Sequence, residues 1–354
     1  YYSLYCGWER SQSSASTVRF KEVAPVVIPQ AADWEKSTVY ERHNAQGHAT
    51  YMPYPSTKAM KADGQRYDKP WLEPTGANYL SLNGTWRLRW SEGPKPVLLS
   101  KDECWGDDVN TDGSAWSDIT VPSCLEMNGY GKPMYVNVDY PFVDKQPHIR
   151  MRPGLTNSVG SYRRDFTLPA GWESKRVFLH FDGIYSAAYV YVNGHEVGYT
   201  EGANNVSEFD VTRYVHPGKN NVAVQVIRWS DGSYLEGQDM WHMSGIHRDV
   251  YLVATPKTYL ADHYIKSTVT PDMTTAGLGS AATTVDLTVC NRDKLAAKKT
   301  VTVTLYDPSG KEIKALTADF QFAAGDSVMT KTIDFGPLSG LKIWSAETPT
   351  LYNL

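Results

Sequence analysis

The feature that most constrains the fold of this chain is an alternation of apolar and polar residues with a period of two. It runs through short segments such as 86–90, 188–192 and 222–226, in which every second residue is apolar. Successive side chains of a β-strand point to opposite faces, so this period predicts half-buried strands. Segments with a helical period are scarce, and the chain is therefore predicted to be all-β.

Two Asn-Gly pairs interrupt the alternating segments, Asn83-Gly84 and Asn193-Gly194. Asn-Gly favours a tight hairpin because both central residues of a type I′ turn take positive φ. Both pairs are predicted to be hairpin turns. Many short strands joined by polar turns are typical of a β-sandwich, and a jelly roll is predicted for residues 79–255.

A second set of alternating segments follows Thr255-Pro256-Lys257. Their length and spacing predict an immunoglobulin-like sandwich over residues 256–354. Trp344 is expected to anchor its core. Residues 344–354 resemble the entry to a further strand, and a sandwich that stops there has an unpaired edge. The second sandwich is therefore expected to be truncated at its C-terminal end, in a chain that is part of a longer protein.

Residues 1–78 differ from the rest of the chain. They are rich in Pro, Ser, Lys and Tyr and show little alternation. Such a composition is typical of an extended N-terminal arm that wraps over later domains and is partly disordered. Residues 1–32 suggest no specific role.

Composition argues against several classes of partner. The formal net charge is −4 and the charges are interspersed, without the basic stripe that nucleic-acid binding requires. No apolar run reaches the length of a membrane span. A secretory signal pattern is not visible, but the chain does not begin with Met, and the compartment therefore stays open.

The four cysteines match no zinc or redox spacing. Cys290 alternates with Val289 along a strand and is expected to be a lone thiol. A disulfide between Cys104 and Cys124 is a possibility that nothing in the sequence supports.

The segment RWSDGSYLEGQDMW (228–241) concentrates carboxylates, an amide and aromatic rings directly after an alternating strand. Rings that cover a C–H face beside polar groups that take hydroxyls suit a sugar. Asp231-Gly232 is interpreted as turn chemistry, with glycine at positive φ. Glu236 is expected to pair with a basic group such as Arg248. Trp241 could line a pocket or anchor the loop by packing, and anchoring is preferred.

Several stretches occur in a characteristic order, and they are LNGTWRLRW (82–90), VPSCLEMNGYGKPMYVNVDYPF (121–142), SYRRDFTLP (161–169), FDGIYSAAYVYVNGHEVGY (181–199), SEFDVT (207–212), RWSDGSYLEGQDMWHMSGIHRDV (228–250) and IWSAETPTLY (343–352). In this order they resemble the N-terminal part of glycoside hydrolase family 2 β-galactosidases of the long bacterial type. The resemblance covers roughly residue 33 to the end. The QDMW and NVDYPF stretches resemble β-galactosidases more than β-glucuronidases or β-mannosidases.

The resemblance implies a jelly roll, an immunoglobulin-like domain and then a (β/α)₈ barrel. It also implies hydrolysis of terminal β-galactosides with retention by two barrel glutamates that lie roughly 5 Å apart. These glutamates and the main magnesium ligands would lie beyond residue 354, so this chain alone is predicted to be inactive. The parent protein would use sodium and magnesium, with neither site complete in this chain, and would form a homo-oligomer.

Three residues of this chain match family residues at the rim of the galactose pocket. Asn137 would hold sugar hydroxyls and Val138 would line the same edge. Asp239 would contact the sugar and bind a sodium ion, for which hard oxygen ligands are suited. The alternatives are that Asp239 is a structural loop carboxylate and Asn137 an ordinary turn residue.

The sequence is compatible with three functions. The chain could be the N-terminal region of a β-galactosidase, a stand-alone non-catalytic carbohydrate-binding module, or a structural pair of sandwiches that stabilises an oligomer. The first predicts weak galactose binding by the chain alone, because an incomplete site leaves polar groups with only some of their partners. Its partners would be a galactoside and the barrel domain.

Overall fold

Strands dominate the structure, a computed structural model that describes residues 32–64, 69, 72–93, 96, 98–100, 116–137, 139–143 and 146–354. The all-β prediction is confirmed, with two sandwiches in chain order. The described helices are short, and they are a 3₁₀ turn at Asp33–Glu35, α1 at Thr57–Ala62, a 3₁₀ turn at Glu126–Asn128 and α2 at Ser233–Glu236.

The first sandwich packs a seven-stranded antiparallel sheet against a four-stranded one. The larger sheet contains, in spatial order, β1 (Glu41–Arg42), β10 (His195–Thr200), β9 (Ala187–Val192), β12 (Gly218–Ile227), β6 (Val159–Leu168), β3 (Gly84–Ser91) and β4 (Ser117–Val121). The smaller sheet contains β11 (Ser207–Asp210), β7 (Arg176–Phe181), β15 (Val250–Thr255) and β2 (Tyr79–Ser81). Two ribbons complete the sandwich, β5 (Met134–Val136) with β13 (Met240–His242), and β8 (Ile184–Tyr185) with β14 (Gly245–Ile246).

The alternating side chains of these strands meet between the two sheets. Val190, Val224 and Phe209 are completely buried there. Gly198 fits under the ring of Phe209, because a Cβ at Gly198 would lie 2.3 Å from that ring. Each fully buried large apolar side chain contributes about 1.5–3 kcal/mol, so this core is the main source of stability.

The two Asn-Gly pairs that were predicted to be hairpin turns behave differently. Asn193 and Gly194 have φ of 47° and 78° and join β9 to β10, so the predicted hairpin is confirmed. The hairpin predicted at Asn83-Gly84 is wrong, because β2 and β3 belong to different sheets. The Asn83 side chain instead accepts a hydrogen bond from the Val250 N–H at 2.9 Å, which fixes the crossing between the sheets.

The second sandwich consists of a three-stranded and a two-stranded sheet. Its strands are β16 (Thr258–Pro271), β17 (Leu278–Asn291) and β20 (Val328–Lys342) in one sheet, and β18 (Ala297–Tyr306) and β19 (Glu312–Phe322) in the other. Phe320, Phe322 and Phe335 fill the core between them.

The prediction that Trp344 anchors this core is wrong. Its side chain is 60% exposed, because the phenylalanine rings occupy the space between the sheets. Nearby, Asn353 pairs with Tyr306 of β18 in an isolated antiparallel bridge, which gives the end of the segment strand-like pairing.

Part of the predicted arm lies outside the described residues, including 1–31. The described part is tied to the first sandwich. β1 extends the larger sheet beside β10, and Asp33 accepts hydrogen bonds from Arg42 and Tyr189. Cys104, one half of the possible disulfide, also lies outside the described residues, whereas Cys290 is a buried free thiol.

A chain of titratable groups attaches the next part of the arm to the smaller sheet. The Glu208 carboxylate contacts His48 at 3.3 Å and His180 at 3.1 Å, and His180 also contacts Asp182 at 3.0 Å. Burial acts to raise the pKa of Glu208, but the two histidines outweigh it and hold that pKa at about 2. The hydrogen bond to Glu208 raises the pKa of His48 to about 9, against its burial.

The signs of these pKa shifts predict a pH window for the attachment. The contribution of His48 is complete below its ordinary pKa of 6.5 and is lost as the pH rises through about 9. That of Glu208 is complete above its ordinary pKa of 4.5 and is lost as the pH falls toward about 2.

We therefore expect His48→Asn to lower the free energy of unfolding by about 1–2 kcal/mol at a pH between 4.5 and 6.5, the two ordinary pKa values. The loss should become smaller as the pH approaches the pKa of His48 in the folded chain, about 9. Urea denaturation across the pH range measures the difference. His195→Asn, at an exposed histidine of the same sandwich, is the control. A pH-independent difference for His48→Asn would contradict the ionic attachment.

Candidate functional site

The ribbon of β5 and β13 carries the residues that the sequence singled out. Tyr135 pairs with Trp241 in its register, and their rings lie 5.7 Å apart. Both side chains face solvent, with 51% and 57% of their surface exposed. Exposed aromatic rings on one short ribbon are a surface suited to a ligand with an apolar face.

Asn137 and Asp239 meet at the open end of this ribbon. The Asp239 N–H donates to the Asn137 carbonyl at 3.0 Å, which extends the pairing by one residue. Asp239 has φ of 53°, a left-handed conformation that aspartate tolerates better than most residues. A left-handed conformation of a residue other than glycine is strained, and it persists only where the surrounding structure holds it, often at functional sites.

The Tyr135 hydroxyl positions the Asp239 carboxylate. It donates to Asp239 Oδ1 at 2.8 Å, and this hydrogen bond to the carboxylate raises the pKa of Tyr135. Sequence reasoning missed this contact because Tyr135 and Asp239 are 104 residues apart and only the ribbon register brings them together.

The structure thus places two of the three predicted site residues side by side. Asn137 is exposed, and Val138 lies outside the described residues. The preference for Trp241 as a packing anchor is wrong, because its ring is on the surface. Trp229, which is 1% exposed, is the buried tryptophan of this segment.

An aromatic cluster below the ribbon clamps its two strands. Phe142 follows the β5 strand and lies 5.9 Å from Trp229 and 4.8 Å from Tyr234, ring centre to ring centre. The Tyr140 hydroxyl donates to the Tyr234 carbonyl at 2.7 Å. The segments that carry Asn137 and Asp239 are therefore fixed by the same packing, a rigid support for a binding site.

Asp231 and Glu236 have structural roles that differ from the sequence interpretation. Gly232 has φ of −58° and begins α2, so it does not take positive φ. Glu236 accepts a hydrogen bond from the Ala203 backbone. Arg248, its expected partner, donates to the carbonyls of Asp182 and Asn204 instead.

The Asp231 carboxyl lies against that of Glu201, and each residue is 5% exposed. Burial, followed by the interaction with Asp231, raises the pKa of Glu201 to about 9. Two carboxyls this close in a buried position cannot both ionise cheaply, so Glu201 keeps its proton to a higher pH than an exposed glutamate does. The Tyr199 hydroxyl and the Gly232 N–H also donate to Glu201.

The described side chains of this site can supply only some of the ligands that a metal ion needs. Among the described residues, no group of three or more His, Cys, Asp or Glu is arranged to hold a metal ion. Asp239 does fit one ligand position, because Oδ1 is held by Tyr135 whereas Oδ2 makes no hydrogen bond to a described residue. A single exposed carboxylate oxygen suits a hard cation whose other ligands come from elsewhere.

Fold and site together define a pair of β-sandwiches, the first of which presents a rigid ribbon of polar and aromatic side chains. Residues 79–256 match the family description "Glycosyl hydrolases family 2, sugar binding domain", and residues 258–354 match "Glycosyl hydrolases family 2". The chain belongs to glycosyl hydrolase family 2 and contains its N-terminal sugar-binding and immunoglobulin-like domains.

Proteins named β-galactosidase are similar over most of the chain. That of Priestia megaterium is 32% identical over 327 residues, which are 91% of this chain and 30% of the relative. That of Psychromonas ingrahamii is 34% identical over 335 residues, 92% of this chain and 29% of the relative. The chain therefore spans less than a third of the length of these relatives.

A solved structure with the same fold is a β-glucuronidase of Bacteroides uniformis. Its TM-score is 0.60 at 24% identity, over 77% of this chain and 29% of that one. At this identity the likeness supports the fold alone.

None of the helices that the structure describes has the length and apolar character that crossing a bilayer requires.

The raised pKa of Glu201 predicts how Glu201→Gln changes stability. The folded chain holds the Glu201 proton more tightly than the unfolded chain, so wild-type stability falls as the pH rises from 4.5 toward 9. A neutral glutamine avoids this loss. We expect the variant to exceed the wild type by on the order of 1–3 kcal/mol at the alkaline end and to match it at the acidic end.

Urea denaturation across this pH range measures the effect. Glu196→Gln, at an exposed carboxylate paired with Arg42, is the control and should show no such pH dependence. Parallel pH profiles of stability for wild type and Glu201→Gln would contradict the raised pKa of Glu201.

Proposed function

We propose that this chain is the N-terminal region of a β-galactosidase that hydrolyses terminal non-reducing β-D-galactosides with retention of configuration. Its contribution is one wall of the galactose pocket together with the scaffold that holds it. The observation that carries the proposal is the ribbon end, where Asn137 and Asp239 lie side by side beside exposed Tyr135 and Trp241.

The chemistry of this ribbon end suits a sugar hydroxyl. An amide offers both a donor and an acceptor, and a carboxylate offers acceptors to hydroxyl groups. The exposed aromatic rings beside them offer apolar surface to the C–H face of a pyranose. Similarity to proteins named β-galactosidase at 32–34% identity over nine-tenths of the chain supports galactose as the sugar.

Asp239 is proposed as one ligand of a sodium ion that also contacts the sugar. Tyr135 holds one carboxylate oxygen and leaves the other able to bind the cation. Val138 would line the same edge. The remaining sodium ligands, the magnesium ligands and the two glutamates that break the glycosidic bond are proposed to lie in a barrel domain that this chain does not contain.

In this proposal the residues of the chain bind and orient, and the barrel performs bond cleavage. Sugar hydroxyls would donate hydrogen bonds to the Asp239 carboxylate, and the Asn137 amide would donate to or accept from them. These hydrogen bonds are expected to strengthen in the transition state, because only interactions that are stronger there than in the bound substrate raise kcat. The parent protein is proposed to form a homo-oligomer.

In the longer protein, Asp239→Asn is expected to lower kcat/KM for a nitrophenyl β-galactoside about tenfold to a thousandfold, because a charged contact to sugar and sodium is lost. Steady-state kinetics at several sodium concentrations measures it. The control is Asp118→Asn, which alters an exposed carboxylate of β4 that pairs with Arg87 of β3. Unchanged kinetics and sodium dependence in Asp239→Asn would remove Asp239 from the pocket.

Tyr135→Phe tests the positioning of that carboxylate. Loss of the hydroxyl frees Asp239 without removing its charge, so we expect the sodium concentration for half-maximal activity to rise about tenfold. Activity should recover at saturating sodium. A loss of activity that sodium does not rescue would indicate that Tyr135 acts on the sugar directly.

A further inference from the structure

Besides the ribbon end that carries Asn137 and Asp239, the first sandwich has a cleft at the opposite end of β5, which we call the second cleft. Its volume is about 380 Å³, within the usual range for small-molecule sites. The residues that define its character are Trp90, Glu92, Lys132, Met134, Arg228 and Trp229. None of them belongs to the wall formed by Asn137 and Asp239.

The floor of this cleft is a buried guanidinium group. Arg228 is 6% exposed, its Nε lies 3.4 Å from Glu126 Oε1, and its Nη2 donates to the Lys132 carbonyl at 2.7 Å. Its Nη1 forms no hydrogen bond to a described residue. A Cβ at Gly131 would lie 3.1 Å from Nη1 and 3.8 Å from the Trp90 ring, so glycine keeps the space between them open.

A carboxylate of opposite charge stands at the rim. Glu92 is exposed and accepts a hydrogen bond from the Thr156 hydroxyl at 3.2 Å. Glu92 and Arg228 form no ion pair with each other, although both line the cleft. A guanidinium that only donates and a carboxylate that only accepts are bridged best by groups that do both, and hydroxyls are such groups.

The charges and the aromatic wall of the cleft favour a neutral ligand that has an apolar face. Arg228 and Lys132 are offset by Glu92 and by Glu126 behind the floor, which disfavours an anionic or cationic ligand. The Trp90 ring forms one wall and is itself held by Tyr130, 6.0 Å away between ring centres. Within the described residues, the buried indole nitrogens of Trp90 and Trp229 have no hydrogen-bond acceptor.

We propose that this cleft is a second carbohydrate site, which binds a neutral hexopyranose unit between the Trp90 ring, the Arg228 guanidinium and the Glu92 carboxylate. Met134 begins β5 and Asn137 follows its end, so three strand residues separate the two sites by about 10 Å. The site goes beyond the proposed pocket wall and does not depend on it.

Nuclear magnetic resonance of the 354-residue chain tests this assignment, with lactose as the probe. The indole N–H signals report on the cleft, and Trp90→Phe assigns that of Trp90. We expect these signals to shift and saturate with a dissociation constant in the millimolar range. Glu92→Gln should weaken binding about tenfold, and Thr156→Val, which releases the Glu92 carboxylate, should weaken it by less.

The matched control is Asn137→Ala combined with Asp239→Asn, which alters the pocket wall and leaves the cleft intact. Unchanged binding in this control together with weakened binding in Glu92→Gln supports the cleft. Loss of the shifts in the control, unchanged binding in Glu92→Gln with an unchanged melting temperature, or shifts that never saturate would each overturn it. Failure of the pocket wall would appear instead in the galactosidase kinetics of Asp239→Asn.

Discussion

The pairing of β5 with β13 is the constraint on which the proposed site depends. It joins two segments that are about a hundred residues apart in sequence, and it aligns Asn137 with Asp239 at one end. The ribbon is too short to be stable alone, because isolated two-stranded ribbons are marginal in water. Its stability comes from the aromatic cluster beneath it, in which Phe142 packs against Trp229 and Tyr234. The same packing that completes the sandwich therefore fixes the geometry of the polar surface.

Two groups of buried charges in the first sandwich contain partners of opposite charge, and each group has a distinct role. Glu126 and Arg228 lie behind the ribbon and support the second cleft, whereas Glu208 with its two histidines attaches the arm. Removing one partner of such a group costs more than the pair contributes, because the remaining charge stays buried. These groups therefore act mainly to specify how loops and arm meet the sheets.

Much of the fold could be predicted from the sequence, because the period of two and the turn at Asn193-Gly194 are local signals. The turn at Asn83-Gly84 was predicted wrongly, since the destination of a strand depends on which sheet it joins. For the proposed site, family motifs predicted Asn137 and Asp239, whereas the Tyr135 hydrogen bond depends on a register that no local pattern contains. The exposure of Trp241 and Trp344 was missed because a ring in the sequence does not reveal whether other rings already fill the core.

Asn137 and Asp239 are proposed to hold one and the same sugar. A double-mutant cycle of Asn137→Ala and Asp239→Asn on kcat/KM for a β-galactoside, measured in the longer protein at fixed sodium, tests it most directly. The shared contact predicts a coupling free energy of about 0.5–3 kcal/mol between the two substitutions. Two substantial losses that add without coupling would contradict a common wall, and so would the absence of any loss.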